Sequence, residues 1–249
     1  KPKIVIAVPL VIEKIYKSKV KPILEKEGIR FLMKVPGLDQ IVLNKVRTEL
    51  INAFGGEFIE VIIGGAAFNK EVEAFFKRMG FPFTVGYGMT ECAPIITYDD
   101  WKEEKLYSCG KAAPNMEVRI ASADPVNIPG EIQVKGANVF LGYYKNETAT
   151  SEVFTEDGWF RTGDMGVLDA DGSLFIKGRT KCMILGPSGQ NIYPEEVETV
   201  INSQPYVVDS LVVEDNGGLT ALIYPDFQQG AKDGMPQETF VKYMEDTLV

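Results

Sequence analysis

The sequence contains no histidine among its 249 residues. That absence removes the Ser-His-Asp triad, the Cys-His pair, general-base catalysis by imidazole and most zinc sites. Chemistry in this chain must rest on carboxylates, lysine, hydroxyls, backbone amides and a hard cation such as magnesium. Cysteine is scarce too: Cys92, Cys109 and Cys182 are odd in number, widely spaced and free of any CxxC pair. The pattern is that of a reduced, cytosolic chain rather than a disulfide scaffold. No apolar run approaches the ~20 residues of a membrane helix, and no signal peptide opens the chain. Neither a GxxxxGK[ST] loop nor a GxGxxG fingerprint is present, which leaves out both common phosphate-binding loops. Basic residues number 26 against 35 acidic ones, a formal net charge of −9. A nucleic-acid partner, which calls for a basic face, is not expected.

What is present is an ordinary globular composition, 45% apolar and 24% charged, long enough for one large domain or two smaller ones. The chain opens on "KPKIV", without an initiator methionine and directly in a strand-like run, so it reads as a segment of a larger protein. Lys3–Val8 ("KIVIAV") predicts a buried strand. After Pro9, Ile12, Ile15, Tyr16, Val20, Ile23 and Leu24 recur at helical spacing. A second helix is expected from Asp39 to Phe54, with Ile41, Val42, Val46, Leu50 and Phe54 on one side and Gly55-Gly56 ending it.

A strand-helix-strand unit follows. "EFIEVIIGG" reads as a strand, "NKEVEAFFKRMG" as a helix capped by Asn69 and closed by Gly80, and "FPFTVGYG" as a second strand. At this length the unit is a parallel crossover, and ligands of such sheets sit beyond the carboxyl ends of the strands. Those ends are Gly64–Phe68 ("GGAAF") and Gly86–Glu91 ("GYGMTE"), both rich enough in glycine for a ligand to approach the backbone. From about Tyr107, short alternating runs ("MEVRIA", "GEIQVKG", "SLFIKG") between turn signals predict antiparallel sheet with the strand spacing of a small barrel. After Gly178 the texture changes again. "YPEEVETVINS" is a helix with Pro194 at its first position and acids in its first turn. "DSLVVEDNGGLTALIYPD" is a hairpin turning at Asn216-Gly217, and "QETFVKYMEDTLV" is a final amphipathic segment.

Three local patterns carry candidate chemistry. In "GYGMTE", Tyr87 could present its ring to a planar base, Thr90 could hydrogen-bond a phosphate oxygen, and Glu91 is a hard oxygen ligand suited to Mg²⁺. The plain structural alternative is a strand-to-loop turn with a buried tyrosine and a solvated glutamate. "GWFRTGDMG" places Asp164 in a glycine-flanked loop before a strand, where it could chelate a ribose diol or form an Asx turn. "GRTK" sets Arg179 and Lys181 near a domain boundary, where a solvated linker is the alternative.

Taken in order, "GGAAF", "GYGMTE", "GEIQVKGANVFLGYY", "DGWFRTGD", "GRTKCMIL" and "GQNIYPEEVE" resemble the adenylate-forming (AMP-binding) superfamily, and within it the long-chain fatty-acid–CoA ligases. "AVPLVIEKIY" and "NKVRTELINAFGG" also look like that subfamily. The resemblance implies a layered α/β AMP-binding domain with a parallel βαβ unit, here its C-terminal part over residues 1–106. It further implies an antiparallel, barrel-like β subdomain over 107–178 and a small, mobile α+β C-terminal domain over 179–249. It implies ATP, yielding AMP, and Mg²⁺, with coenzyme A as co-substrate. Tyr87 would stack on adenine, with the backbone of Gly65, Ala66 and Ala67 near the base and Gly88 and Met89 in the same nucleotide segment. Thr90 would hold the α-phosphate and Glu91 would coordinate the metal. Asp164 and Arg179 would reach the ribose. Lys181 would sit at the hinge on which the C-terminal domain swings, and Gly189 in the Ser188–Ile192 loop lining the pantetheine path.

The implied chemistry is attack of a fatty carboxylate on the α-phosphorus of Mg-ATP, then displacement of AMP by the thiol of coenzyme A. Two departures stand against the family pattern. No Ser/Thr/Gly-rich phosphate loop lies in Lys1–Gly64, and the lysine needed for adenylation would fall beyond Val249. The chain is therefore expected to be a central-to-C-terminal fragment that binds nucleotide weakly and does not turn over. The run "KCMILGPSG" (Lys181–Gly189) also contains a proline and is slightly long. Other readings stay open: an adenylating enzyme for another acid or for a carrier-protein thiol, and a catalytically silent nucleotide-binding domain. Chain-length preference and oligomeric state have no signature here. Peripheral membrane association also stays open, although no basic amphipathic helix is evident.

Overall fold

The structure is a computed structural model that describes residues 2–186, 188–215 and 217–248. The chain divides into two compact units, residues 1–162 with 166–176, and residues 163–165 with 177–249.

In the first unit, β1 (Ile4–Ala7), β2 (Glu60–Ile63) and β3 (Phe83–Val85) form a parallel sheet in that order. The helices on one face are α1 (Pro9–Ile15), α2 (Lys21–Leu24), α3 (Glu27–Leu32), α4 (Leu38–Ala53) and α5 (Lys70–Met79). α5 forms where the sequence predicts. Asn69 accepts hydrogen bonds from the N–H groups of Glu71 and Val72, and Gly80 ends the helix at φ +65°, the left-handed geometry a glycine adopts without strain. Val72, Phe76 and Met79 repeat at helical spacing and are buried. Phe76 packs against Phe81 and Phe83 with ring centroids 4.9 and 5.8 Å apart. Each such side chain contributes roughly 1.5–3 kcal/mol on burial.

Between α1 and α2 the helix loosens into a π turn, Tyr16–Val20. Ile12, Tyr16 and Val20 are all buried at a spacing of four. An α-helix turns every 3.6 residues and would rotate that stripe off the core; the wider π turn restores its aim.

Two expectations change. The run Lys3–Val8 is a strand, but it is not buried: Ile4 and Ile6 are 53% and 80% exposed. β1 is the edge of the sheet, and only its Val5 and Ala7 side packs on the helices. In α4 the core side carries Val42, Leu43, Val46 and Leu50, while Ile41 is 65% exposed. Leu43, three residues before Val46, centres the buried stripe and turns Ile41 outward.

The rest of the first unit is mostly antiparallel. β4 (Tyr87–Gly88), β5 (Ile95–Tyr98) and β6 (Lys111–Ala112) make a small sheet. A second sheet has the order β10-β9-β8-β7, from β7 (Met116–Ala121), β8 (Gly130–Gly136), β9 (Phe160–Leu168) and β10 (Leu174–Arg179), with a short helix α6 (Glu147–Glu152) before β9. The sheet is open: no pairing among the described residues joins β7 to β10, so it does not close into a barrel. Its core holds Ile120, Ile132, Val134, Phe160 and Leu174 with Tyr87, Cys92 and Ile96.

The second unit carries the hairpin β11 (Ile184–Leu185) and β12 (Asn191–Ile192), then α7 (Pro194–Asn202), β13 (Val207–Asp215), β14 (Gly218–Pro225), α8 (Phe227–Lys232) and α9 (Gln237–Leu248). Pro194 opens α7 with Glu195 and Glu196 in its first turn, as the sequence predicts. The β13–β14 hairpin closes Asp215 on Gly218. Of its predicted turn, Gly217 has φ +78°, and Asn216 lies outside the described residues. Pro187, in the long Lys181–Gly189 run, also lies outside them.

The free edge of β3 is closed by a carboxyl group. Glu104 accepts the N–H of Val85, and Glu73, reaching out of α5, accepts the N–H of Tyr107. Both glutamates are 4% exposed, and Lys77 donates to the backbone carbonyl of Glu104. Burial pushes the Glu104 carboxyl up to about 8 and that of Glu73 to about 7, and Glu104 Oε2 has no partner among the described residues. Both folded values lie above the ordinary 4.5. The folded chain therefore binds more protons than the unfolded one above that pH. The pair's contribution to stability is full below it and is lost as pH rises through 7 to 8. Thermal unfolding followed by circular dichroism is expected to show about 1–3 kcal/mol less stability at about pH 8.5 than at about pH 6, or roughly 3–10 °C in Tm. Glu104→Gln, which keeps an acceptor for Val85 and removes the charge, is expected to flatten most of that slope; an unchanged slope would disprove the assignment.

Candidate functional site

The two glycine-rich segments predicted as ligand-facing do meet. They leave the carboxyl ends of the adjacent parallel strands β2 and β3, where the N–H of Gly86 donates to Ile63 and that of Gly64 to Ala7. A Cβ on Gly64 would stand 3.1 Å from the carbonyl oxygen of Gly86, so the backbones run side by side. Gly65 has φ +91°. Gly65, Ala66 and Ala67 are exposed, while Phe68, buried against Phe83, pins the segment.

Beyond Gly86 the chain changes sheets. Tyr87 and Gly88 pair with Thr97 and Ile95 across an irregular register. The Tyr87 ring is buried in the second core, with 9% of its surface exposed. The N–H of Met89 donates to Pro94, and residues Thr90–Cys92 form a 3₁₀ turn. Ala93 closes that turn with φ +54°. Thr90 is exposed and Glu91 half-buried.

A second segment wraps this turn. Asn138 Nδ2 donates to the carbonyls of Cys92 and Ile95 at 2.6 and 3.1 Å. The N–H of Phe140 donates to the Glu91 carbonyl at 2.8 Å, and the Tyr143 hydroxyl donates to Glu91 Oε1 at 3.0 Å. None of these three partners stood out in the sequence. "FLGYY" entered there only as part of a motif, because nothing local links it to a turn about fifty positions earlier.

Glu91 and Thr90 fit one kind of metal site. No group of three or more His, Cys, Asp or Glu side chains able to hold a metal ion occurs among the described residues, which therefore build no all-protein cage. One half-exposed carboxylate beside a hydroxyl suits a magnesium ion that keeps water and takes its other ligands from phosphate.

Asp164 lies inside β9, in its residues 163–165 that belong to the second unit, and not in a loop before a strand. Of the glycines that suggested a loop, Gly166 serves close packing, since a Cβ there would meet the Phe175 carbonyl oxygen at 2.9 Å, and Gly163 takes φ +74°. Asp164 Oδ1 stands 3.4 Å from Arg179 Nε, with 13% of the aspartate side chain and 72% of the arginine side chain exposed. The two residues predicted to share a ligand are thus neighbours. Lys181 is exposed just past β10. Gly178 lets α7 come close, since a Cβ there would meet Glu195 Oε2 at 2.6 Å. Gly189, at φ +81°, is exposed in the β11–β12 loop with open space around it.

A model of the AMP-binding enzyme family matches residues 3–144. The chain is 32% identical over 239 residues to the long-chain-fatty-acid–CoA ligase FadD15 of Mycobacterium bovis, covering 86% of this chain and 38% of the relative. It is 36% identical over 182 residues to the 2-succinylbenzoate–CoA ligase of Bacillus cytotoxicus, covering 69% of this chain and 37% of that one. Among solved structures, o-succinylbenzoate coenzyme A synthetase of Bacillus subtilis in complex with ATP and magnesium ion aligns with a TM-score of 0.67 at 25% identity. That alignment covers 95% of this chain and 46% of the other. The chain thus spans about two fifths of the length of these two curated relatives.

Gly88 is a sharp test of the turn. A Cβ there would sit 2.1 Å from the Pro94 carbonyl oxygen, a backbone atom that can yield only if the turn opens. Gly88→Ala is expected to lower stability by roughly 1–3 kcal/mol and to raise amide hydrogen exchange across Met89–Pro94. Normal stability and exchange would show that the turn does not depend on this contact.

Proposed function

The chain belongs to the AMP-binding enzyme family, and from that premise we propose that it is the nucleotide- and metal-binding part of an AMP-forming acid–CoA ligase whose acid is a long-chain fatty acid. The observation that carries the reading is the Thr90–Cys92 turn, set beyond the carboxyl end of a parallel strand with an exposed hydroxyl next to a tethered carboxylate. Anionic ligands of open α/β sheets are met at such a place. The fatty-acid assignment is supported by the similarity to FadD15 and by the sequence around "NKVRTELINAFGG". Similarity to 2-succinylbenzoate–CoA ligase favours a second reading, in which the acid is aromatic.

In the proposed reaction a carboxylate oxygen attacks the α-phosphorus of ATP and pyrophosphate leaves. The thiol of coenzyme A then gives up its proton to water, its sulfur attacks the acyl carbon, and AMP leaves as the acyl–oxygen bond breaks. The nucleophile of the first step is already anionic and needs no general base, which suits a chain without histidine. Thr90 would hydrogen-bond the α-phosphate, and Glu91 would hold Mg²⁺ on the phosphates. Bound there, the ion supplies charge neutralisation at the phosphorus under attack. The exposed backbone of Gly65, Ala66 and Ala67 would lie near the base, with the Tyr87 ring stacked on it and Gly88 and Met89 completing the segment. Asp164 and Arg179 would engage the ribose hydroxyls, Lys181 would act as the hinge, and Gly189 would line the path of the coenzyme A arm. The catalytic contribution of these groups is positioning and electrostatics.

Pyrophosphate release by the protein in its full-length form, with Mg-ATP and palmitate, 2-succinylbenzoate or acetate, tests the reading. Release with palmitate, accelerated by coenzyme A, is the expected result. Preference for 2-succinylbenzoate would replace the acid, and silence on all three would overturn the ligase reading. Glu91→Ala is expected to cost about 100-fold or more in kcat. Asp164→Ala is expected to raise KM for ATP about 10- to 100-fold through a lost charge-assisted hydrogen bond of roughly 1.5–3 kcal/mol.

A further inference from the structure

A glutamate has three rotatable bonds, and a metal site with one protein carboxylate works only if that carboxylate is aimed. In this chain the aiming comes from the segment after β8. Phe140 is fixed in the second core, stacked on Phe154 and edge-on to Phe160 with centroids 5.8 and 5.4 Å away. From that anchor its N–H holds the Glu91 backbone. Two residues on, Gly142 turns the chain at φ +145°, so tightly that a Cβ would meet Thr150 Cγ2 at 2.5 Å. The N–H of Tyr143 is then bonded to Thr150 Oγ1 at 2.9 Å. The Tyr143 ring leans edge-on against Phe140 at 4.9 Å, which brings its hydroxyl to Glu91 Oε1. The ring is 37% exposed, so burial alone does not account for its place. Backbone and side chain of one glutamate are thus gripped by one rigid segment.

We propose that Tyr143 is a positioning residue, whose hydroxyl holds the Glu91 carboxylate where a divalent cation on a nucleotide's phosphates meets it. Ligating carboxylates are commonly steadied by such a second hydrogen bond. A carboxylate has more lone pairs than one hydroxyl uses, so Glu91 can keep this bond and still ligate a cation. The inference rests on the nucleotide- and metal-binding reading above.

The test is Mn²⁺ binding to the full-length protein in the presence of ATP, followed by the electron paramagnetic resonance of free Mn²⁺, for the wild type, Tyr143→Phe and Tyr144→Phe. Tyr144 is the neighbouring phenol, 88% exposed. Tyr143→Phe is expected to weaken Mn²⁺ binding roughly 3- to 10-fold. ATP binding in EDTA and Tm are expected to stay at wild-type values, as is Mn²⁺ binding by Tyr144→Phe. In turnover, the apparent KM for Mg²⁺ is expected to rise while excess Mg²⁺ restores kcat. Unchanged Mn²⁺ affinity in Tyr143→Phe, an equal loss in Tyr144→Phe, or a matching loss of metal-free ATP binding would overturn the positioning role. A wild type that binds no Mn²⁺ with ATP would overturn the underlying reading and this role together, and the wild-type measurement tells the two failures apart.

Discussion

The bond from the Val85 N–H to the Glu104 carboxyl is the constraint on which the first unit depends. A three-stranded parallel sheet leaves unpaired N–H groups on its last strand, and an open edge of that kind invites the wrong partner. Here a side chain closes it. The solution is costly, because a buried carboxyl loses its hydration. The chain meets that cost by protonation and by satisfying the surroundings: Lys77 caps the Glu104 backbone carbonyl and Glu73 takes the N–H of Tyr107. Residues 99–109 are thereby drawn down onto β3 and α5, and Cys109, at the end of that stretch, packs against both cores of the unit.

With its edge fixed, β3 can deliver the chain to another sheet. Gly86 is the last residue bonded to β2, and Tyr87 already pairs with Thr97. The change of sheet sets the 3₁₀ turn and its Glu91 beyond the parallel strands. What shapes the turn is mostly backbone: Gly88 against Pro94, Met89 bonded to Pro94, and the amides of Asn138 and Phe140 on the carbonyls of residues 91, 92 and 95. Gly88 illustrates how a motif glycine is read. In the sequence its bareness suggests room for a ligand; in the structure the room is filled by the chain's own next turn. Thr90 and Glu91 are then free to be chosen for their chemistry, because the loop does not need their side chains to hold its form.

Elements with local signals were legible in the sequence. Asn69 and Gly80 bracket α5, Pro194 starts α7, and the βαβ unit follows from its lengths. Each depends on contacts within a few residues, which a sequence displays. β9 was not legible as a strand around Asp164, because Gly163 and Gly166 interrupt the alternation that marks one. Gly166 is there for packing, since Ile132 and Phe175 approach too closely for a side chain, whereas Gly163 takes a φ of +74° that favours glycine. Glu73 reads as a first-turn acid favouring the helix dipole, and only the fold of residues 99–109 over it makes it a buried proton carrier. Of the candidate site, the motif residues were legible by type and order. Asn138, Phe140 and Tyr143, which hold them, were not, since their partners lie more than forty positions away.

The braced glutamate answers a general physical requirement. An enzyme that moves protons needs a group titrating near neutrality, and such a group works by changing its charge. A reaction whose nucleophile arrives as an anion asks instead for charges that do not change and do not move. A single carboxylate on a flexible side chain is a poor fixed charge unless something removes its freedom. The segment Asn138–Tyr143 does so with hydrogen bonds to the Thr90–Ile95 turn and aromatic contacts to the core. The two carboxyl groups that do titrate near neutrality, Glu73 and Glu104, are buried under the sheet edge and belong to the scaffold. The protonation of these two groups is a matter of folding, and the aim of the Glu91 side chain is a matter of geometry.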